Sequence, residues 1–214
     1  MSFNLIKNRG KMDLTEFKNI IEFSIQNDQK IENINVNFEE ELLEYQALNL
    51  DFYKSEFESV NIIDSSFEKT SFVNVEFKNC NFSNTTFENC SFIRCNFKNC
   101  KFTGTVFLKS RFDTVDFYES NFCYSNFSLS MMNNIKYKDS IMRNMYFEEN
   151  KHKKLEIENS DLTGANFFRT SLKDIDLSSD NISALVVGLD DIKGAKIDSM
   201  QALDLIGLLG VKIK

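Results

Sequence analysis

The residues that could do chemistry in this chain are few and evenly placed. A row of carboxylates recurs every twenty residues: Glu56, Glu76, Asp116, Glu156 and Asp176, with Asn96 and Lys136 at the two remaining steps. Carboxylates stacked at strand spacing repel one another, so such a row does not serve stability. It resembles the charge pattern of a nucleic-acid backbone and suits a protein that grips DNA. The plainer reading is a solvated edge of an acidic protein, and Lys136 fits it. The only histidine, His152, lies in the charged run Glu148 to Lys154, which reads as a bulge or exposed loop. A general base would need a carboxylate or hydroxyl held against that ring, and the sequence offers no such constellation. Metal-ligand spacing, a glycine-rich phosphate loop and a nucleophile–base arrangement are all missing from the sequence. The expectation is therefore a non-enzymatic protein, with no catalytic residue, cofactor or metal.

These residues take their places from a repeat. From Phe52 to Ile197 every fifth residue is large and apolar, except His152. Five matches neither the helical nor the strand period over a long run. It does match a short extended segment followed by a corner. A smaller residue sits two places before each large one, as in Ser55, Thr70, Cys80 and Ser110, and a spacing of two puts both on one face. Two places after the large residue stand Asn74, Asn79, Asn84, Asn89, Gly104 and Gly164 among others. Asn and Gly enter left-handed backbone at least cost, so these are the corners. Four corners close a square of about twenty residues. About seven coils then stack into a rod roughly 35 Å long at β-sheet spacing. The aromatic residues form ladders inside it, each coil burying what its neighbour exposes.

The register also assigns the cysteines. Cys80, Cys90, Cys95 and Cys100 fall on the small inward position, where a thiol is a compact apolar filler. Cys123 follows Phe122 and points outward, so it is the one reactive candidate. A net charge of −7 disfavours plain electrostatic binding of nucleic acid. No run is long or apolar enough for a signal peptide or membrane span, which points to the cytosol.

The ends depart from the frame. Asp13 with Glu16 reads as a capping box before an amphipathic helix over 14–27, suited to covering the open end of the rod. Phe38, Leu43 and Leu48 are five apart but one step out of phase. They suggest an irregular first coil whose frame resets between Leu48 and Phe52, with a short helix from Glu39 to Leu48 as the alternative. After Ile197, Asp198 and Gln201 form a second capping box. Met200, Leu203, Leu205, Ile206, Leu208 and Leu209 make a helix apolar on most sides, which needs a partner surface. The organisation expected is an N-terminal segment over 1–29, a β-helix over 30–197 and a C-terminal helix with a short strand over 198–214. Homodimer contacts are expected at Met200, Leu203, Ile206, Leu209 and Val211.

The repeat resembles the pentapeptide-repeat family, with Phe mostly in place of the central Leu. Asp161-Leu162-Thr163-Gly164-Ala165-Asn166-Phe167 comes closest to its unit. The tail is similar to that of the Qnr-type quinolone-resistance proteins, through Gly194, Lys196, Ile197, Asp198, Gln201, Ala202, Leu209, Gly210 and Val211, and Lys30-Ile31-Glu32-Asn33 resembles their first coil. The resemblance implies an all-β solenoid, a right-handed quadrilateral β-helix, that dimerises through its C-terminal helix. It further implies DNA mimicry, binding to DNA gyrase or topoisomerase IV, and fluoroquinolone resistance. The five-residue frame here runs from 52 to 147 without the interrupting loops of the strongest gyrase protectors. A general protein-interaction scaffold is the alternative.

Overall fold

The computed structural model describes residues 12–210. The chain is the expected β-solenoid, with one helix at each end. All paired strands are parallel and lie one coil apart, so Phe72 faces Phe92, Phe92 faces Phe112 and Phe112 faces Met132. The corners fall where the sequence places them. Asn74, Asn79, Asn84 and Asn89 have φ between 55 and 57°, and Gly104 has φ 70°. Lys54, Thr114 and Leu129 take the same left-handed backbone without the residue type that favours it. Stacking holds them there, because each coil bonds to the next whatever the corner residue.

The tube interior is a filled aromatic core. Rings stack along the rod, with Phe77 and Phe97 at 4.4 Å and 3°, and Phe97 and Phe117 at 4.8 Å and 15°. Around one coil they meet edge to face, as Phe72 and Phe77 do at 5.5 Å and 67°. Both are favourable arrangements for aromatic pairs. The small inward residues bond as well as fill. The Cys90 amide donates to Ser110 Oγ at 3.0 Å, and the Ser110 amide to Ser130 Oγ at 3.0 Å. Each hydroxyl donates in turn to a carbonyl of the previous coil, Ser110 to Phe87 at 2.7 Å and Ser130 to Phe107 at 3.1 Å. Thus the corner amides that no strand can pair are satisfied from inside.

The N-terminal helix, Leu14–Asn27, is capped where expected, Asp13 Oδ1 accepting from the Glu16 amide at 2.7 Å, but the Glu16 side chain does not return the bond, so half of the expected capping box forms. It covers the end of the rod with Phe17, which packs on Phe38, Phe52 and Phe57 at 5.4, 6.5 and 6.1 Å. The first coil corrects the expected register. Leu42 and Ala47 are the buried residues, while Leu43 and Leu48 are exposed. The slip lies earlier than expected. Val36 pairs with Phe57 and Leu42 with Ile62, so one extra residue is taken up between Val36 and Leu42, beside Phe38. Strands Glu41–Leu43 and Gln46–Leu48 stand where a helix was the alternative.

The charged run around His152 is a second correction. It is no loop: Lys151–Glu158 is a strand in full register with Met131–Lys138, and His152 faces Met132. On its far side, however, the ladder opens. Among the described residues, no backbone hydrogen bond joins 151–159 to 171–179. Two adjoining sides of the square are affected. The other two stay closed across the same level, through Leu162 to Asn181 at 2.8 Å and Phe167 to Val186 at 2.8 Å. Side chains bridge the opening instead: His152 Nε2 meets the Ser171 carbonyl at 2.5 Å, and the Asn159 amide donates to Ser179 Oγ at 3.2 Å.

Candidate interaction faces of the rod

With rings filling the tube, every polar group able to meet a partner lies on the skin or at the ends. The carboxylate row falls on one face as the repeat demands. Glu56 pairs with Glu76, Glu76 with Asn96, Asn96 with Asp116, Asp116 with Lys136 and Lys136 with Glu156. Asp176 stands at the next step of twenty, across the open ladder, and itself bridges to Lys196. Glu58, Glu119, Asp139 and Glu158 add negative charge on the same side of the square.

The row is not bare. Lys78 sits between Glu56 and Glu76, with Nζ 2.7 Å from each, and those two hydrogen bonds raise its pKa. Lys136 bonds Glu158 at 2.9 Å and lies 3.6 Å from Glu156, and that bond lowers the Glu158 pKa. Asp116 accepts weakly from the Tyr118 hydroxyl at 3.3 Å, and Asp176 is held ionised by Ser178. Alternating signs relieve the repulsion expected of the row. The sequence carried that signal, because Lys78 stands on the same strand as Glu76 and one coil from Glu56, and Lys136 one coil from Glu156 and Glu158. It shows only when neighbouring columns are read together.

The cysteines are placed as read. Cys80, Cys90, Cys95 and Cys100 are buried and Cys123 is half-buried. Their thiols take over the hydroxyl's role in the ladder: Cys90 Sγ donates to the Phe67 carbonyl at 2.8 Å and Cys95 Sγ to Phe72 at 3.3 Å. Burial pushes the Cys90 and Cys95 thiols up to about 12, so they stay protonated and inert. Among the described residues no group of His, Cys, Asp and Glu is placed to hold a metal ion.

The C-terminal helix is short, Gln201–Leu205, and runs into a 3-10 turn over Ile206–Leu209. Its capping box is complete. Asp198 Oδ1 accepts from the Gln201 amide at 2.8 Å, and Gln201 Oε1 from the Asp198 amide at 2.8 Å. Gln201 also anchors the helix to the rod, its Nε2 donating to the Leu177 and Asp180 carbonyls, each at 2.7 Å. Leu205 and Leu208 turn onto the core. Met200 is 70% and Leu203 51% exposed, and Ile206 is half-buried. Val211 lies outside the described residues, and Leu209 is described by its backbone alone. No helix among the described residues is long and apolar enough to cross a membrane.

Residues 70–147 and 91–167 match the family described as Pentapeptide repeat region. No curated protein matches the chain. Among solved structures, the chain is similar to trypsin-treated QnrB1, described as a plasmid-mediated fluoroquinolone resistance protein, at 16% identity and TM-score 0.46 over 85% of this chain and 95% of that one. It is similar to HetL of Nostoc sp. strain PCC 7120, involved in heterocyst differentiation regulation, at 11% identity and TM-score 0.37 over 86% and 94%. It is also similar to the pentapeptide repeat protein Rfr23 of Cyanothece 51142, at 9% identity and TM-score 0.30 over 85% and 99%.

Proposed function

Over residues 70–167 this chain is a pentapeptide-repeat protein, and on that premise we propose that it is a non-enzymatic binding rod whose acidic face mimics DNA towards a type II topoisomerase, DNA gyrase or topoisomerase IV, and so lowers fluoroquinolone sensitivity. The observation that carries the reading is the column Glu56, Glu76, Asp116 and Glu156 on one side of a filled tube, with Asp176 at the next step of twenty. A surface that grips phosphates through lysine and arginine is attracted to carboxylates at fixed spacing in the same way. The tail from Gly194 to Val211, which resembles the Qnr type, supports it. Gyrase supercoiling with purified protein, with and without a fluoroquinolone, is the test. No effect at micromolar protein rejects the reading. Glu156→Lys with Asp176→Lys should abolish any effect seen.

A general interaction scaffold is the second reading. Lys78 and Lys136 favour it, since they neutralise part of the column that a DNA mimic would leave free. Recovery of a non-topoisomerase partner, lost with the same two substitutions, would support it over the first.

The rod acts as a homodimer in this proposal, joined through Met200, Leu203, Ile206, Leu209 and Val211. The exposed apolar side chains of Met200 and Leu203 support a second copy there. Sedimentation should give a dimer, and Met200→Glu with Leu203→Glu a monomer. A wild-type monomer at high concentration would refute this contact.

A further inference from the structure

The side of the square next to the acidic column carries the opposite charge over its C-terminal half. Arg111, Lys151, Lys153 and Lys173 stand exposed there, in a chain of net charge −7. Arg111 is held by Asp113 at 3.1 Å on its own strand. Among the described residues, Lys151, Lys153 and Lys173 make no ion pair. Lys151 and Lys153 rim a depression of about 400 Å³ lined also by the Arg111–Asp113 pair, Met131 and His152. Met131 is 61% exposed.

A second observation falls at the same place. The Lys151–Glu158 strand pairs only with Met131–Lys138, and its far edge is where the backbone ladder to 171–179 is open. Unmatched cations and an exposed apolar side chain meet on one patch, beside a level where side chains rather than backbone join the coils.

We infer that this half-face is a docking surface for an extended acidic segment of a partner protein. Free ammonium groups draw a segment rich in carboxylates and set its approach. A single extended chain is about 4.8 Å wide, the spacing of one strand, and lies within the patch. The strand edge itself is covered by the next coil, which His152–Ser171 and Asn159–Ser179 bonds hold against it, so the ammonium groups and the Met131 side chain hold the segment. Nucleic acid fits less well. A duplex needs many phosphate contacts over a broad surface, and here it would overlap Glu156, Glu158 and Asp176 on the adjoining side. The patch is separate from the acidic column, so one rod has two surfaces of opposite sign.

The test uses the full chain and a fluorescein-labelled oligoglutamate peptide, followed by fluorescence anisotropy at low and physiological salt. An oligothymidylate of equal charge is measured alongside. Saturable peptide binding that weakens with salt is expected. Lys151→Glu with Lys153→Glu should weaken it by about tenfold or more, while Glu156→Gln should not weaken it. The same lysine pair should leave any supercoiling effect unchanged, which separates this surface from the acidic one. Should the pair lower the melting temperature, Lys153→Ser with Lys173→Ser replaces it, with the same expected loss. Absence of peptide binding, an unchanged affinity in the lysine variants, or tighter binding of the oligonucleotide overturns the inference. Self-association abolished by the lysine variants also overturns it, because the occupant would then be a second copy.

Discussion

Asp180 ends a ladder of small inward residues by accepting the Ser160 amide at 2.7 Å through Oδ1, and its other oxygen, Oδ2, is buried with no partner. Ser120, Ser140 and Ser160 hold the equivalent steps below it, and each hydroxyl accepts from the coil before. Burial raises the Asp180 carboxyl to about 6, with Asp176 and Glu158 adding to the shift. The folded pKa thus lies above the unfolded one. The group favours the fold most below pH 4, and that contribution is lost as pH rises through about 6. Asp180→Ser keeps the acceptor and removes the charge. It should stabilise the protein at pH 7.5 by on the order of 2 kcal/mol and have little effect at pH 4. Urea unfolding of both proteins at the two pH values checks this, and an equal gap at both would refute it.

Tyr137 is the one tyrosine in the stacked rings. It lies 4.8 Å from Phe117, is fully buried, and its hydroxyl has no hydrogen-bond partner. An unsatisfied buried hydroxyl costs about 1–3 kcal/mol. Tyr137→Phe should raise stability by roughly 1 kcal/mol, read as a higher melting temperature. A fall instead would mean that the hydroxyl has a partner in solution.

Corner positions should respond to residue type in opposite senses. Leu129 has φ 60° and an exposed side chain, so Leu129→Asn should stabilise by about 0.5–1 kcal/mol. Gly164 has φ 68°, and a Cβ there would lie 2.5 Å from Asn144 Oδ1. Gly164→Ala should cost about 1–2 kcal/mol. Denaturant midpoints of the two variants give the comparison; shifts in the same direction would contradict it.

The open ladder has a dynamic consequence. The amides of His152, Lys154, Ile157, Ser171 and Asp176 lack the coil-to-coil bonds that the Arg111–Tyr118 and Met131–Lys138 strands make with each other. Native-state hydrogen exchange should find those amides less protected than their counterparts at 112–117 and 132–137. Equal protection along the whole rod would show that the joint is closed in solution.

These positions also mark where sequence reading stops. The slip near Phe38 was visible as a broken frame. Its location was not, because Leu43 and Leu48 keep a spacing of five while facing water. His152 broke the apolar series and read as a loop. The strand survives there because Leu155 and Ile157 remain buried and the preceding coil, Met131–Lys138, supplies the pairing.

The sequence by itself determined the pentad frame, the corners and the aromatic filling. Each begins as a local property: two inward residues recur along the frame and a left-handed residue follows in most units, often an Asn or Gly, with stacking holding the corners that lack one. It also determined the two helix caps, Asp13 and Asp198, whose partners are three residues on, the second as a complete box. The tertiary structure decided which charges touch, since Lys78 reaches Glu56 across a coil boundary and the sequence shows that pair only once its twenty-residue columns are aligned. Only it decided where the ladder opens and which polar atoms are stranded, Asp180 Oδ2, Asn150 Nδ2 and Tyr137 OH among them. A period fixes the phase of every side chain around the tube. It leaves open how closely one coil settles on the next, and hydrogen bonds between coils depend on that distance.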